Sequence, residues 1–498
     1  MNFLSFNSGS PLLFTILEFW LFLLVVLIVF GIIKKQLKAQ HLWLLLCSYF
    51  FYYKSSGNFV VLLLAVTLLT FFFAKAISKC HNKSRRKTLL TLGIIFDVSF
   101  LIYFKYTYFF IDLINNVWNT SIVAQDYLSL FVNNTFGTHF SVSKIILPVG
   151  ISFFSFQAIS YLVDVYKNRI DSNTSFWDFA FYISFFPQLV AGPIVRADSF
   201  LPQLKKPYSL SKEDFNLAFF FILNGLLKKI CISDYISINF VDRVFSSPDT
   251  FTGVENLLAT YGYTIQIYCD FSGYTDIAIA ISLLFGFHLP LNFNSPYKAV
   301  NITDFWRRWH ISLSSWLKDY IYIPLGGNRK GKVRQYLNLL TTMLIGGLWH
   351  GANLKFIFWG AAHGLLLCID KIWSKIIGTL QNNKIYRVFS IFITFHLVAC
   401  LWIFFRADSF NIAITILQKI FASDFSMLPT IFAAYYKPLS IIAFALVIHL
   451  LPENCKKTYR KFFCNKSLVF KCLIAILVVF LMVQMKSAAI QPFIYFQF

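Results

Sequence analysis

Charge is what this sequence has least of. Only 13% of its 498 residues are Asp, Glu, Lys or Arg, where a soluble domain carries about a quarter. Gly (21) and Pro (14) are also sparse, which excludes collagen-like repeats and low-complexity linkers, and the apolar share of 57% excludes intrinsic disorder. Nine Cys are an odd number with no Cys-x-x-Cys pair. Cys47, Cys231, Cys368, Cys400 and Cys472 sit in apolar runs, so they read as buried free thiols rather than a metal or redox site. The first 33 residues contain no Lys or Arg, so Leu12 to Ile33 lacks the basic start of a cleavable signal peptide and reads as a retained span with its amino end outside.

What is abundant is aromatic and apolar: 60 Phe, and 19% aromatic residues in all. This is the composition of an all-α polytopic membrane protein. A span needs about 20 mostly apolar residues, and candidates run at Leu12–Ile33, His41–Tyr53, Phe59–Ser78, Leu89–Ile111, Ile145–Val163, Phe176–Val195 and Phe215–Ile232. Others follow at Leu257–Phe287, Tyr336–Trp349, Leu354–Ile372, Val388–Phe405, Met427–Leu450 and Leu468–Val483. Several fall short of a full crossing and predict tilted or half-membrane helices, for about 11 to 13 elements in a single integral membrane domain, 1–498.

The few charges are lopsided, 44 Lys plus Arg against 22 Asp plus Glu, for a net +22. A nucleic-acid binder would gather such charge on a water-facing stripe, so nucleic acid is excluded as a partner. Instead the cations mark loops. Lys79–Lys87 and Lys456–Lys466 are expected in the cytoplasm, and the stretch between Lys105 and Lys144, without Lys or Arg, outside. No polar loop is long enough for a separate soluble domain, so any chemistry belongs to the membrane body or to another protein.

Ionisable residues inside spans are costly and by default functional. Nearly all of them here lie between Tyr268 and Gly364. His350, in Gly346-Gly-Leu-Trp349-His350-Gly-Ala-Asn353, follows an apolar run and is flanked by glycines. A neutral imidazole there suits a general base toward a hydroxyl; the alternative is a structural histidine at a helix crossing. His310 sits in Asp304-Phe-Trp306-Arg307-Arg308-Trp-His310, and Trp306, His310 and Ser314 recur at four-residue spacing, predicting one shared helix face. Either that helix lies on the cytoplasmic membrane surface, or it forms a basic rim for a phosphate-bearing donor. Between Tyr297 and Gln335 there are eight Lys or Arg and two Asp, and charge alone suits anionic lipid at least as well as a pantetheine or adenine-nucleotide phosphate. Asp270 and Asp276 are six residues apart, point different ways on a helix and read as structural partners. His288, His363 and His449 read as satisfied core or interface residues, and Arg406 with Asp408 as a local ion pair.

The block from Asp270 to His350 resembles the membrane-bound O-acyltransferase superfamily, and within it the bacterial alginate O-acetylation branch, to which the teichoic acid D-alanylation protein is related. The stretch Gly150-Ile-Ser-Phe-Phe-Ser-Phe-Gln157 leading to Asp164, the run Phe186-Pro-Gln-Leu-Val-Ala-Gly-Pro-Ile-Val-Arg196, and Tyr322-Ile-Pro-Leu-Gly-Gly-Asn328-Arg329 carry the likeness, in order, over 50–406. The resemblance implies tilted and half-membrane helices around a tunnel between the two membrane faces. It also implies acyl transfer from a cytoplasmic thioester, acetyl coenzyme A or an acyl carrier protein, to a hydroxyl, with no bound cofactor and no metal. His350 takes the central catalytic position, and His310 corresponds to the upstream assisting residue that polarises or positions the donor. Trp306, Arg307, Arg308, Asn328 and Arg329 are the donor-binding candidates.

The segment 485–498 ends Gln491-Pro-Phe493-Ile-Tyr495-Phe-Gln-Phe498. This resembles the Phe-x-Tyr-x-x-Phe ending of the small membrane peptide of D-alanylation, which makes Tyr495 a candidate acyl shuttle on the outer face; the plain alternative is an interfacial aromatic. The implied function is O-acetylation of a cell-surface polysaccharide from the bacterial inner membrane. With no Gly-Asp-Ser hydrolase-like block in the chain, the final transfer is expected to need an extracytoplasmic SGNH-hydrolase-like partner, alongside the cytoplasmic donor and membrane lipid. D-alanyl transfer to teichoic acid and the transport of an acylated carrier are the competing readings.

Overall fold

Helix breakers and caps, more than hydropathy, set where the elements begin and end. The computed structural model describes residues 6, 11–136, 141–170, 174–190, 192–378, 383–485 and 493, and among them the regular structure is entirely helical. Tyr495 and its neighbours 494–498 lie outside the described residues. The amino-terminal elements are α1 (Leu17–Ile32), α2 (Leu37–Ser56), α3 (Val60–Lys79), α4 (Lys83–Leu101), α5 (Thr107–Trp118) and α6 (Tyr127–Phe136). Next come α7 (Ile151–Tyr166), α8 (Phe176–Ser184), α9 (Phe186–Leu189), α10 (Ala197–Leu204), α11 (Lys212–Leu226) and α12 (Asp242–Ser246). The central and site-bearing helices are α13 (Gly253–Leu284), α14 (Ile302–Arg308), α15 (Ile311–Leu317), α16 (Lys332–His350), α17 (Leu354–Ile377) and α18 (Lys384–Arg406). The chain then runs through α19 (Phe410–Phe421), α20 (Leu428–Leu450), α21 (Glu453–Asn465) and α22 (Leu468–Met485).

Among the described residues, eight helical stretches are long and apolar enough to cross a membrane, and three shorter apolar helices accompany them. One stretch, Leu37–Lys79, is 43 residues long, about 65 Å if straight, roughly twice a bilayer core. Gly57, at φ +62°, divides it into α2 and α3, and a Cβ there would meet the Phe6 ring at 3.0 Å.

Three expected spans are corrected. The short apolar run Tyr336–Trp349 belongs to a 19-residue helix, α16, about 28 Å long, because Lys332, Arg334 and Gln335 add polar helical turns that an apolar count omits. Conversely, Phe176–Val195 is not one span: α8 stops at Ser184, before Pro187, and the chain continues in the four-residue α9 and an irregular segment. The helix expected from Ile145 starts only at Ile151, after Pro148 and Gly150. Gly150 takes φ +75°, and a Cβ would lie 2.5 Å from the Leu189 carbonyl oxygen.

The core centres on α13, whose most apolar window is 83% buried. A capping box between Thr252 and Glu255 starts it, and it packs against α11, α18, α19 and α20. By contrast the corresponding window of α22 is 11% buried, so that helix offers almost all of its apolar surface to its surroundings. Of the cysteines expected to be buried, Cys472 is exposed there and Cys400 is half-buried, whereas Cys47, Cys231 and Cys368 are buried.

The charges of α13 are paired with a π-helical segment, Leu227–Asp234, that follows α11. Lys229 Nζ lies 2.5 Å from Asp270 and 2.8 Å from Asp234, and Lys228 Nζ lies 2.8 Å from Asp276, which also accepts from Asn224 at 2.7 Å. Asp270 and Asp276 thus hold the bundle together through separate lysines. Close helix approach here needs small residues: a Cβ on Gly225 would lie 2.6 Å from the Gly273 carbonyl oxygen.

Candidate active site

The last four carbonyls of any helix have no partner inside it. At the end of α16 three of them are taken by one neighbouring turn. Tyr106 Oη donates to Leu348 O at 2.6 Å, and Lys105 Nζ donates to Trp349 O at 2.6 Å and to His350 O at 3.1 Å. Both donors lie in the π-helical turn Ile102–Tyr106 between α4 and α5, a local geometry that recurs at functional positions. The ammonium also opposes the negative end of the α16 dipole and sits 5.9 Å from the Trp349 ring. Lys105 therefore fixes the backbone that carries His350. Sequence reasoning used Lys105 only as the edge of a charge-free loop; the signal it missed was a lone cation inside the apolar run Leu89–Ile111.

His350 is 3% exposed and enclosed by aromatic rings, with centroids at 4.9 Å (Trp349), 5.1 Å (Trp359) and 5.2 Å (Phe405). The tight packing of α16 on α17 makes this enclosure possible. A Cβ on Gly347 would fall 2.3 Å from Phe356 O, and one on Gly360 2.4 Å from Met343 O. His363 shares the Trp359 ring with His350, at 4.6 Å and 5.1 Å respectively.

His310 arrives from a different part of the chain. The expected continuous helix through Trp306, His310 and Ser314 does not exist. α14 ends at Arg308, His310 takes the left-handed conformation (φ +42°), and α15 begins at Ile311. The break is held by the segment 292–294, where Asn294 N donates to Arg308 O at 2.9 Å and Ile311 N donates to Asn292 O at 3.0 Å. Four-residue periodicity cannot register such a break, because its cause lies in backbone pairing between residues well beyond one helical turn, Asn294 with Arg308 and Asn292 with Ile311. His310 is fully buried, not interfacial. Its ring lies edge-on to Phe271 at 4.6 Å and 6.0 Å from Trp349, so α13, the α14–α15 break and the end of α16 bring the two histidines to one tryptophan.

The side chain of Asn292 completes this arrangement. Its Oδ1 accepts from Ser312 N at 3.1 Å and Ser312 Oγ at 2.9 Å, and lies 3.2 Å from His310 Nδ1. Ser312 Oγ in turn accepts from Ile194 N at 2.9 Å, which ties the Phe186–Arg196 run to the site. The remaining signature residues form a supporting network. Tyr320 Oη donates to Asp164 at 2.5 Å, and Arg196 pairs with Asp319 at 2.8 Å while stacking on the Tyr320 ring at 4.8 Å.

His363 was expected to be satisfied, but neither ring nitrogen has a hydrogen bond among the described residues. It is held by rings instead, 4.6 Å from Trp359 and 5.2 Å from Trp306. His449 accepts from Tyr297 N at 3.1 Å, and His288 faces Asp214 at 3.4 Å. Arg406 lies 3.6 Å from Asp408, but its shorter contact, 2.7 Å, is with Asp242 on α12.

The donor-binding candidates separate. Trp306 is buried against Trp359 and His363. Arg308 is engaged by Asp304 at 2.9 Å, whereas Arg307 is exposed beside a cavity of about 390 Å³ lined by Asp304, Asp370, Lys371 and Ser374. Asn328 and Arg329 are exposed in the turn before α16. Phe493, two residues before Tyr495, is 1% exposed and packs on Phe271 at 5.5 Å and Tyr274 at 4.9 Å; the Phe271 ring that it touches is the one covering His310.

With this geometry in place, residues 39–407 match the membrane-bound O-acyltransferase family. The chain belongs to that family. It is 38% identical over 371 residues to a peptidoglycan O-acetyltransferase of Helicobacter pylori, covering 69% of this chain and 67% of the relative. It is 39% identical over 334 residues to an alginate O-acetylase of Pseudomonas aeruginosa, covering 67% of this chain and 60% of that protein. A teichoic acid D-alanyltransferase of Bacillus subtilis is 29% identical over 288 residues, covering 55% of this chain and 72% of the relative. The chain thus spans about three fifths of the length of the alginate relative.

Proposed function

We propose that this protein is an O-acyltransferase of the bacterial inner membrane that moves an acetyl group from a cytoplasmic thioester toward the outer face, for O-acetylation of a cell-surface polysaccharide. The observation that carries the reading is the meeting of His310 and His350 at Trp349, inside an aromatic enclosure that excludes water. In such surroundings an imidazole is a competent base toward a hydroxyl. His350 takes the hydroxyl proton of the acceptor as its oxygen bonds to the acyl carbon. The carbon–sulfur bond breaks, and the proton passes to the departing thiolate. Lys105 keeps the His350 backbone in register throughout.

Tyr495 is the first acceptor on this reading. Phe493 supports it, because that side chain is seated against the ring covering His310, and two residues of chain reach at most about 7 Å. A partner resembling SGNH hydrolases then moves the acetyl group to sugar. The donor is a pantetheine thioester of coenzyme A or a carrier protein, approaching from the side of Arg307. The likeness to the D-alanyltransferase favours D-alanine as the second candidate acyl group.

The test is mass spectrometry of the purified protein after incubation with membranes and isotopically labelled acetyl and D-alanyl donors. A labelled acetyl on Tyr495 that disappears in Tyr495→Phe, and that fails to form in His350→Ala, is expected. Undiminished polymer acetylation in Tyr495→Phe would remove the shuttle, and undiminished acetylation in His350→Ala would remove the enzyme reading in favour of transport.

A further inference from the structure

We infer that Asn292 is a positioning residue that sets the tautomer of His310, making its Nε2 a hydrogen-bond acceptor toward substrate rather than a donor to the thioester carbonyl. This rests on the proposed role of His310 in acyl transfer.

The argument begins with a backbone N–H, which can only donate. Ser312 N points at one atom of the Asn292 carboxamide, at 3.1 Å. That atom must be the oxygen, because the amide nitrogen would set donor against donor. The same oxygen receives the Ser312 hydroxyl at 2.9 Å and faces His310 Nδ1 at 3.2 Å. An unprotonated Nδ1 would set lone pair against lone pair there, so Nδ1 carries the hydrogen. In a neutral imidazole the other nitrogen, Nε2, then holds the lone pair. Histidine ligands of metal sites are oriented by the same kind of partner on the far nitrogen.

The arrangement is rigid at every joint. Asn292 is 1% exposed, Ser312 is 6% exposed, and His310 is fully buried. Ile194 N holds Ser312 from behind, and Ile311 N bonds the Asn292 carbonyl. Three separate segments thus fix one oxygen, and it faces the far side of the histidine from Nε2.

The consequence separates the roles of the two histidines. A neutral His310 in this tautomer accepts from an O–H or N–H of the substrate, and holds an acceptor hydroxyl in place while His350 takes its proton. It could polarise a carbonyl only after protonation. Transfer therefore needs neutral His310 and falls when that ring is protonated. Among the described residues, His350 on α16 flanks the same Trp349 ring, Lys105 holds the His350 carbonyl, and His363 shares the Trp359 ring with His350. Asp270, which precedes the covering Phe271, is bound to Lys229.

Two substitutions and one spectrum test the inference in the full-length protein. Asn292→Asp keeps an acceptor for both Ser312 N and His310 Nδ1 but adds a negative charge that stabilises the imidazolium, so the acid limb of the pH–rate profile moves up by about 1 to 3 units. At pH values above the new limb its transfer rate stays within a few-fold of the unmodified protein. Asn292→Leu removes the acceptor, and its rate falls at least about tenfold at all pH values, within the range set by one misplaced catalytic group. Nitrogen-15 histidine NMR of the detergent-solubilised protein, with His310→Gln identifying the His310 resonances, reads the tautomer without reference to activity and without the Leu variant having to fold. Protonated Nδ1 with unprotonated Nε2 at neutral pH is expected. A protonated Nε2 overturns the inference, as do equal losses in the Asp and Leu variants with an unmoved acid limb. If the tautomer is as expected but His310→Gln transfers acetyl at full rate, it is the catalytic reading of His310 that fails instead.

Discussion

Two buried clusters in this protein carry charge inside the membrane body, and they solve the problem in opposite ways. Around the π-helical segment after α11, Lys228 and Lys229 are each matched to a carboxylate on α13, and Lys229 also to Asp234 at the end of its own segment. At the end of α16, Lys105 meets backbone carbonyls, and no carboxylate pairs with it among the described residues. The ring beside it is that of Trp349, at 5.9 Å. A matched set of charges has little left to offer a substrate, and removing one member leaves a costly orphan. A cation spent on carbonyl dipoles serves to hold a backbone in place, not to neutralise a carboxylate. The first cluster ties helices of the bundle together, and the second fixes the backbone beneath the histidines to which proton transfer is assigned above.

That contrast can be broken experimentally, and the largest effect belongs to the second cluster. His350→Ala is expected to lower acetyl transfer by about 10²- to 10⁴-fold, the usual contribution of a positioned base, with an unchanged elution profile in detergent. An equal loss of folded protein would assign His350 to structure. In the first cluster, Lys229→Met takes the lysine from Asp270 and Asp234 and should cost about 3–5 kcal/mol of stability, read as a fall in thermal unfolding temperature. Adding Asp270→Leu should recover part of that loss; a single variant that stays stable but loses transfer would move this cluster into the chemistry.

Lys105→Met is intermediate. It uncaps Trp349 and His350, so transfer should drop by about 10- to 100-fold, the penalty for a catalytic group displaced by roughly an ångström, while thermal stability changes less than in Lys229→Met. Stability loss without a rate change would make Lys105 a plain helix cap. The smallest effect is expected from Gly347→Ala, where the new Cβ meets Phe356 O at 2.3 Å. Overpacking of this kind costs about 1–3 kcal/mol, and the unfolding temperature checks it.

Much of this was legible before any coordinates. Hydrophobic length gave the helices, because a bilayer imposes the same requirement on every span. The Trp-His-Gly block marked His350, since an ionisable residue in an apolar run is rarely idle. The donor rim was less legible. Arg307 and Arg308 are adjacent in sequence, yet Arg308 is bound to Asp304 while Arg307 borders a cavity; adjacent side chains on a helix point in different directions. Lys105 was hidden because its partners, Trp349 and His350, lie more than 240 residues away.

The sequence by itself determined that the chain lives in a membrane, roughly where its long apolar helices lie, and that His350 and His310 stand out, because those properties follow from local composition and spacing. Only the tertiary structure decided that the helix breaks at His310, that Asn292 and Ser312 hold the break, and that Lys105 caps the end of α16. Each of these depends on hydrogen bonds between segments far apart in the chain, and no local pattern encodes which distant carbonyl or amide will be there to answer.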